Sequence, residues 1–219
     1  MKKICVCLLV FAAMLVMGSC GNKSQQVPFD NGDSADFSID STLYGICAEG
    51  TSMNSLQIIT DTGDTLTLDL SDARDKGKVL GGLQVGDRMA VMPNADKTEA
   101  RIVVNQTTLL GNWVMPNPID GSDEVGISIK EGGIAESIDQ GSIIYRTWRL
   151  IRGKLEIVLV REGTNDIEEV STYDIVKLQA DSLVYRDEEE TFEYSRQKPK
   201  ETYGVDVKLE DSSIDEFKL

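Results

Sequence analysis

From Leu43 onward, apolar and polar residues alternate with a period of two, and that period predicts strands rather than helices. Thr65-Leu66-Thr67-Leu68-Asp69-Leu70 places three leucines on one face. Leu56 and Ile58 share a face just before it, and Asp61-Thr62-Gly63-Asp64 joins the two runs as a hairpin turn. Gly81-Gly82 and Gly86-Asp87 punctuate the chain before a strand over 88–92. Asn94-Ala95-Asp96-Lys97 is another turn, after which Ala100, Ile102 and Val104 alternate. Five short strands in this stretch predict a small closed barrel.

The second half repeats the pattern. Strands are expected at 109–115, 125–130, 134–138, 143–151, 154–161, 167–178, 182–186 and 191–196. Turn chemistry separates them: Asp120-Gly121-Ser122, Glu131-Gly132-Gly133, Asp139-Gln140-Gly141, Arg152-Gly153, Glu162-Gly163-Thr164-Asn165 and the acidic run 187–190. Eight strands with such short connections predict an up-and-down meander. Its exposed edges disappear if it closes, and eight strands close into a small barrel. The expected class is therefore all-β.

The N-terminus follows a different rule. Met1-Lys2-Lys3 precedes an uncharged run over 4–17 and then Gly18-Ser19-Cys20. That is a basic start, an apolar middle and a small-residue cleavage site. As a helix, the 14-residue run would reach about 21 Å at ~1.5 Å per residue. A bilayer core is ~30 Å thick, so a cleaved signal is expected rather than a membrane span. Val16-Met17-Gly18-Ser19-Cys20 resembles the lipobox of bacterial lipoproteins, with Met17 where leucine is usual. The resemblance implies acylation of Cys20 and anchoring to a membrane by fatty chains of the palmitate type. No aspartate follows Cys20 and no acidic cluster stands just behind it. By resemblance, this favours the outer membrane of the cell envelope, with the body facing the periplasm. Asp33-Ser34-Ala35 and Asp40-Ser41-Thr42 resemble triplets that some bacteria O-glycosylate.

Charge and cysteine content narrow the chemistry. The chain carries a net charge of −15, and removal of residues 1–19 takes two lysines and no acid, leaving −17. Such a body repels phosphate backbones, so nucleic acid is not an expected partner. Cys5 and Cys7 lie in the signal and Cys20 is the acylation site. Cys47 alone remains, in an apolar setting that reads as a small buried hydrophobe, and no disulfide is available. There is no histidine, which removes His-based triads and His-ligated zinc. No cofactor is implied.

Two resemblances then organise the body. Leu83-x-Val85-Gly86-Asp87-Arg88-x-x-Val91 is similar to an element of OB-like barrels. Leu110-Gly111-Asn112-Trp113 resembles the Gly-x-Trp of lipocalin-like proteins. Glu131-Gly132-Gly133-Ile134-Ala135-Glu136-Ser137-Ile138, Tyr145-Arg146-Thr147-Trp148, Thr172-Tyr173-Asp174-Ile175 and Asp181-Ser182-Leu183-Val184-Tyr185 extend that likeness to short lipocalin-like domains of bacterial lipoproteins. The expected organisation is a signal peptide at 1–19 and a flexible tether at 20–40. An OB-like barrel at 41–107 and a lipocalin-like barrel at 108–197 follow, ending in a mobile acidic tail at 198–219.

No catalytic residue is expected. Asp61-Thr62-Gly63 resembles an aspartic-protease triplet, but Thr60 interrupts the apolar pair that should precede the aspartate, and a hairpin turn accounts for the same residues. The run 187–190 lacks the alternating ligands and glycine of a calcium loop and reads as a solvated loop. Trp113, Tyr145, Trp148 and Tyr173 are the candidate ligand-binding residues, with simple core as the alternative. The expected function is non-enzymatic. The lipocalin-like domain would bind a small apolar ligand or act as a scaffold for an envelope protein partner. The alternative is a protein- or glycan-interaction module of an envelope complex.

Overall fold

A computed structural model describes residues 40–198, with residue 122 excepted. The signal, Cys20, most of the tether and all of the tail beyond Lys198 lie outside the described residues.

The first module is a mixed sheet of six strands in the order β3-β2-β1-β5-β6-β4. Its strands are β1 (Leu43–Cys47), β2 (Ser55–Thr60), β3 (Thr65–Asp69), β4 (Val79–Leu80), β5 (Arg88–Pro93) and β6 (Ala100–Asn105). A short helix α1 (Ser71–Asp75) follows β3. The turn at 61–64 forms as expected, with Gly63 at φ +91°. Two features depart from the five-stranded closed barrel. A two-residue β4 pairs parallel to the end of β6, and β3 meets the residue just before β6 through one parallel bridge, Asp69 to Glu99. The sheet is therefore incompletely closed. Leu56, Ile58, Leu68, Leu70, Met89, Val91 and Val103 form its own core.

The second module begins after a short helix, α2 (Gln106–Leu109), capped by the Asn105 side chain, which accepts from the Thr108 N–H at 2.9 Å. Eight antiparallel strands follow. They are β7 (Gly111–Pro116), β8 (Glu124–Lys130), β9 (Ile134–Ile138), β10 (Ile143–Ile151), β11 (Lys154–Arg161), β12 (Glu168–Leu178), β13 (Ser182–Arg186) and β14 (Thr191–Arg196). Each pairs with the next, and β14 returns to β7, closing the barrel.

Two bulges set which side chains enter the lumen. Tyr145 and Trp148 are three positions apart and should face opposite sides of a regular strand. The extra residue Arg146 in the β10–β11 register turns both inward. Val176 does the same for Ile175 and Leu178 in β12.

The modules share a core. Leu80, Ala90 and Val104 of the first sheet pack in one cluster with the barrel residues. This explains the run Met89-Ala90-Val91, which is apolar without alternation: β5 is buried on both faces. The junction is polar as well. Gly81 N–H donates to Leu178 C=O at 3.0 Å. Arg152 N–H donates to Thr42 Oγ1 at 2.8 Å, and the Tyr44 hydroxyl donates to Leu150 C=O. Gly153, at φ +73°, seats the β10–β11 turn so closely on Ile102 that a Cβ there would lie 2.6 Å from Ile102 Cδ1.

Candidate functional site

The barrel end that faces the first module is plugged by Trp113 and Arg196. Trp113 is fully buried, and its Nε1–H donates to Leu109 C=O at 2.8 Å. The Arg196 guanidinium lies 4.2 Å from the centre of that indole ring. It donates to three carbonyls, Ala180, Leu110 (2.8 Å) and Thr108 (2.7 Å). Desolvation lowers its pKa. Gly111, at φ +128°, leaves the space that the guanidinium fills, because a Cβ there would stand 2.3 Å from Nη1.

Higher in the lumen, aromatic rings fill the space. Tyr173 and Tyr185 have ring centres 4.8 Å apart, and Tyr185 and Tyr194 lie 5.5 Å apart. Phe192 packs against both Tyr173 and Tyr185. The Tyr185 hydroxyl donates to that of Tyr194 at 3.3 Å. Burial pushes the phenols of Tyr185 and Tyr194 well above their ordinary value, and the neighbouring tyrosines add to the effect. Tyr173 moves the same way, again chiefly by desolvation. These groups stay protonated at any physiological pH.

The four candidate residues thus have different places. Trp113 is the plug, Tyr145 and Tyr173 belong to the packed lumen, and Trp148 stands at the edge of an outer cleft. Sequence reasoning left Tyr185 and Tyr194 out of the set. Their alternation with Leu183 and Phe192 on β13 and β14 was the available signal.

The cleft lies between the modules and measures about 640 Å³. Tyr44, Leu110, Trp148 and Leu150 supply its apolar surface, and Asp61, Arg88, Gln106, Thr107, Glu131 and Arg149 its polar one. The Trp148 indole N–H is already committed to Lys130 C=O at 2.8 Å. Asp61, from the protease-like triplet, holds Arg88 through two hydrogen bonds of 3.1 and 2.5 Å, so its carboxylate is committed to an ion pair. The other candidate runs are structural too. Asp187 accepts the backbone N–H groups of Glu189 and Glu190, which lower its pKa and fix the loop. Glu169 pairs with Arg161 at 3.0 Å. Cys47 is buried, 3.4 Å from Thr51 Oγ1. Among the described residues, no group of three or more acidic, cysteine or histidine side chains is arranged to hold a metal ion.

The family model described as lipocalin-like matches residues 105–197, the span of α2 and the closed barrel. The chain belongs, through this domain, to the lipocalin-like family. Among solved structures, it is similar to a lipocalin-like protein from Bacteroides thetaiotaomicron, with 35% identity. That match covers 41% of this chain and 97% of the other, at a TM-score of 0.38. No curated protein matches the chain. The lipocalin-like match begins at residue 105, so strands β1–β5 and nearly all of β6 lie before it.

Proposed function

We propose that this lipocalin-like protein is a non-enzymatic envelope lipoprotein, tethered through acylated Cys20, whose barrel serves as a packed scaffold. The observation that carries the scaffold reading is the filled lumen. Trp113, Ile127, Ile129, Leu150, Leu155 and Tyr185 are each less than 2% exposed. A barrel that receives an apolar ligand needs a concave, water-accessible interior, and here side chains occupy that volume. Members of the family are generally binding proteins rather than enzymes. The first module is proposed to be OB-like, on the support of the β1–β3 meander, the β1–β5–β6 pairing and the parallel Asp69–Glu99 bridge. The lipobox and the lysine-led apolar run support anchoring in the outer membrane.

Two measurements test this. Mass spectrometry of the native protein should find Cys20 as an acylated N-terminus, and Cys20→Ser should release the body into buffer without detergent. A thermal-shift screen with fatty acids and haem should leave Tm unchanged. An apolar ligand bound in the lumen at 100 times its Kd would add about 2.7 kcal/mol of stability, and that result would overturn the scaffold reading.

A second reading, a protein-interaction module, is favoured by one feature of the outer barrel wall. Ile134, Thr147, Val158 and Val170 stand in register across β9–β12. Ile134 and Val170 are exposed. Val170→Asp should abolish co-purification of a protein partner under this reading and leave Tm unchanged.

A further inference from the structure

We propose that the cleft between the two modules binds a neutral saccharide. The argument begins with an orphaned atom. Gln106 opens α2, the segment that links the two modules, and its Oε1 is buried without a hydrogen-bond partner. An unsatisfied buried acceptor of this kind costs about 1–3 kcal/mol, so its retention requires a reason. Gln106 lines the cleft, and a rotation of its amide toward the cleft would let a ligand supply the missing partner. A hydroxyl group suits the site whichever way the amide is turned, because it both donates and accepts.

Charge excludes the obvious alternatives. Two guanidinium groups line the cleft, yet each is already neutralised. Arg88 is held by Asp61 in a two-point pair, and Arg149 Nε sits 2.5 Å from Glu156. An anionic ligand gains little net attraction from guanidinium groups whose charge is already matched. Asp61 and Glu131 line the cleft beside Arg88 and Arg149, so the lining favours neither sign and a cationic ligand gains no net attraction either. A neutral ligand disturbs neither pair and can still use guanidinium N–H groups left over by the pairs, since each Arg carries five.

The remaining surface fixes the class. Tyr44, Leu110, Trp148 and Leu150 form apolar walls beside these polar groups. At Gly132, with φ +73°, a Cβ would meet nothing within 4 Å, whereas at Gly133 it would stand 3.1 Å from the Trp148 carbonyl oxygen. A pyranose ring presents C–H faces to apolar walls and a rim of hydroxyls to planar hydrogen-bonding groups. The volume of about 640 Å³ falls within the range of small-molecule sites, ~300–1,000 Å³, and accommodates a mono- or disaccharide.

The test titrates the purified full chain with maltose, cellobiose and N-acetylglucosamine by calorimetry, with glucuronate and glucosamine as charged comparators. At least one neutral sugar should bind, and its binding should alter Trp148 fluorescence. Gln106→Met should weaken that binding at least about tenfold, equivalent to ~1.4 kcal/mol. The same variant should keep or raise Tm without sugar, because the orphaned acceptor is gone. Three results would overturn the proposal: no neutral sugar binding at millimolar concentration, binding untouched by Gln106→Met, or preference for a charged comparator. If Gln106→Met fails to fold, Gln106→Glu replaces it. A buried carboxylate at that position should shed its sugar affinity as it ionises, and a flat affinity across that titration would refute the assignment.

Discussion

The two modules solve the edge problem of a β-sheet differently. The barrel pairs all eight strands around a ring and needs no external cover for its edges. The first sheet leaves β3 and β4 as edges, with β3 reaching the start of β6 through one bridge, and it leans on its neighbour. Tyr44, Ala90, Ile102 and Val104 point into the barrel's cluster rather than into the sheet's own core. A self-closed module can keep a rigid, filled interior. A dependent module creates a seam, and the seam is where the polar cleft and an orphaned amide occur.

If the barrel is the rigid partner, its plug carries the largest effect. Trp113→Ala removes a fully buried indole and should cost about 3–5 kcal/mol, measured by denaturant unfolding. It should also unfold the first module, because that sheet has lost its support. Persistence of a folded first module after barrel collapse would break the comparison. Arg196→Met should cost about 2–3 kcal/mol, by orphaning three carbonyls and removing the cation from the indole face.

The packed tyrosines give the barrel a cluster of raised phenols, where the first sheet contributes Tyr44, which burial also raises. Tyr185, Tyr194 and Tyr173 titrate above 10 in the folded state, and the unfolded chain titrates near 10. Folding therefore retains protons that unfolding releases. The contribution to stability is complete below about pH 10 and is lost as pH rises through the folded values. Tyrosinate absorbance of these three phenols should appear together with unfolding. Tyr185→Phe with Tyr194→Phe should flatten the alkaline loss.

At the seam, Gly153→Ala combines a positive φ with a clash against Ile102. It should cost about 1–2 kcal/mol. Pairing it with Ile102→Ala should recover part of that cost, as a coupling energy of about 0.5 kcal/mol or more. Additive behaviour would mean that the turn does not press on the first sheet.

The contrast between modules also explains what could be read from sequence. Strands β9, β10, β11, β13 and β14 fall at their expected positions. Their glycine and acidic turns mark each end, and one buried wall enforces alternation. The first module was less legible. A two-residue strand has no period to detect, and α1 shows a single buried residue, Ala73, in a polar run. Parallel pairing of β4 with β6 depends on register between distant segments. The cleft could not be read at all, because residues near positions 44, 61, 88, 106, 132 and 148 share no local pattern and meet only when the modules dock. The aromatic quartet illustrates a related limit. Trp113, Tyr145, Trp148 and Tyr173 all lie in or beside the barrel, but sequence does not distinguish a ring that fills a lumen from one that lines a cleft.

The smallest effect belongs to Asp61. Its pair with Arg88 is about half exposed on both sides, and such pairs contribute roughly 0–1 kcal/mol. Asp61→Asn should therefore leave Tm nearly unchanged, and the small difference should shrink in high salt. Its informative consequence lies in selectivity. The variant frees the Arg88 guanidinium at the cleft rim, adding a positive charge where the wild-type lining is balanced. Titration should then show glucuronate gaining affinity relative to the neutral sugars. That gain should vanish in Asp61→Asn combined with Arg88→Met, since the anion would have lost its new partner. Unchanged selectivity in the single variant would mean that Asp61 and Arg88 brace the turn at 61–64 without touching what the cleft holds.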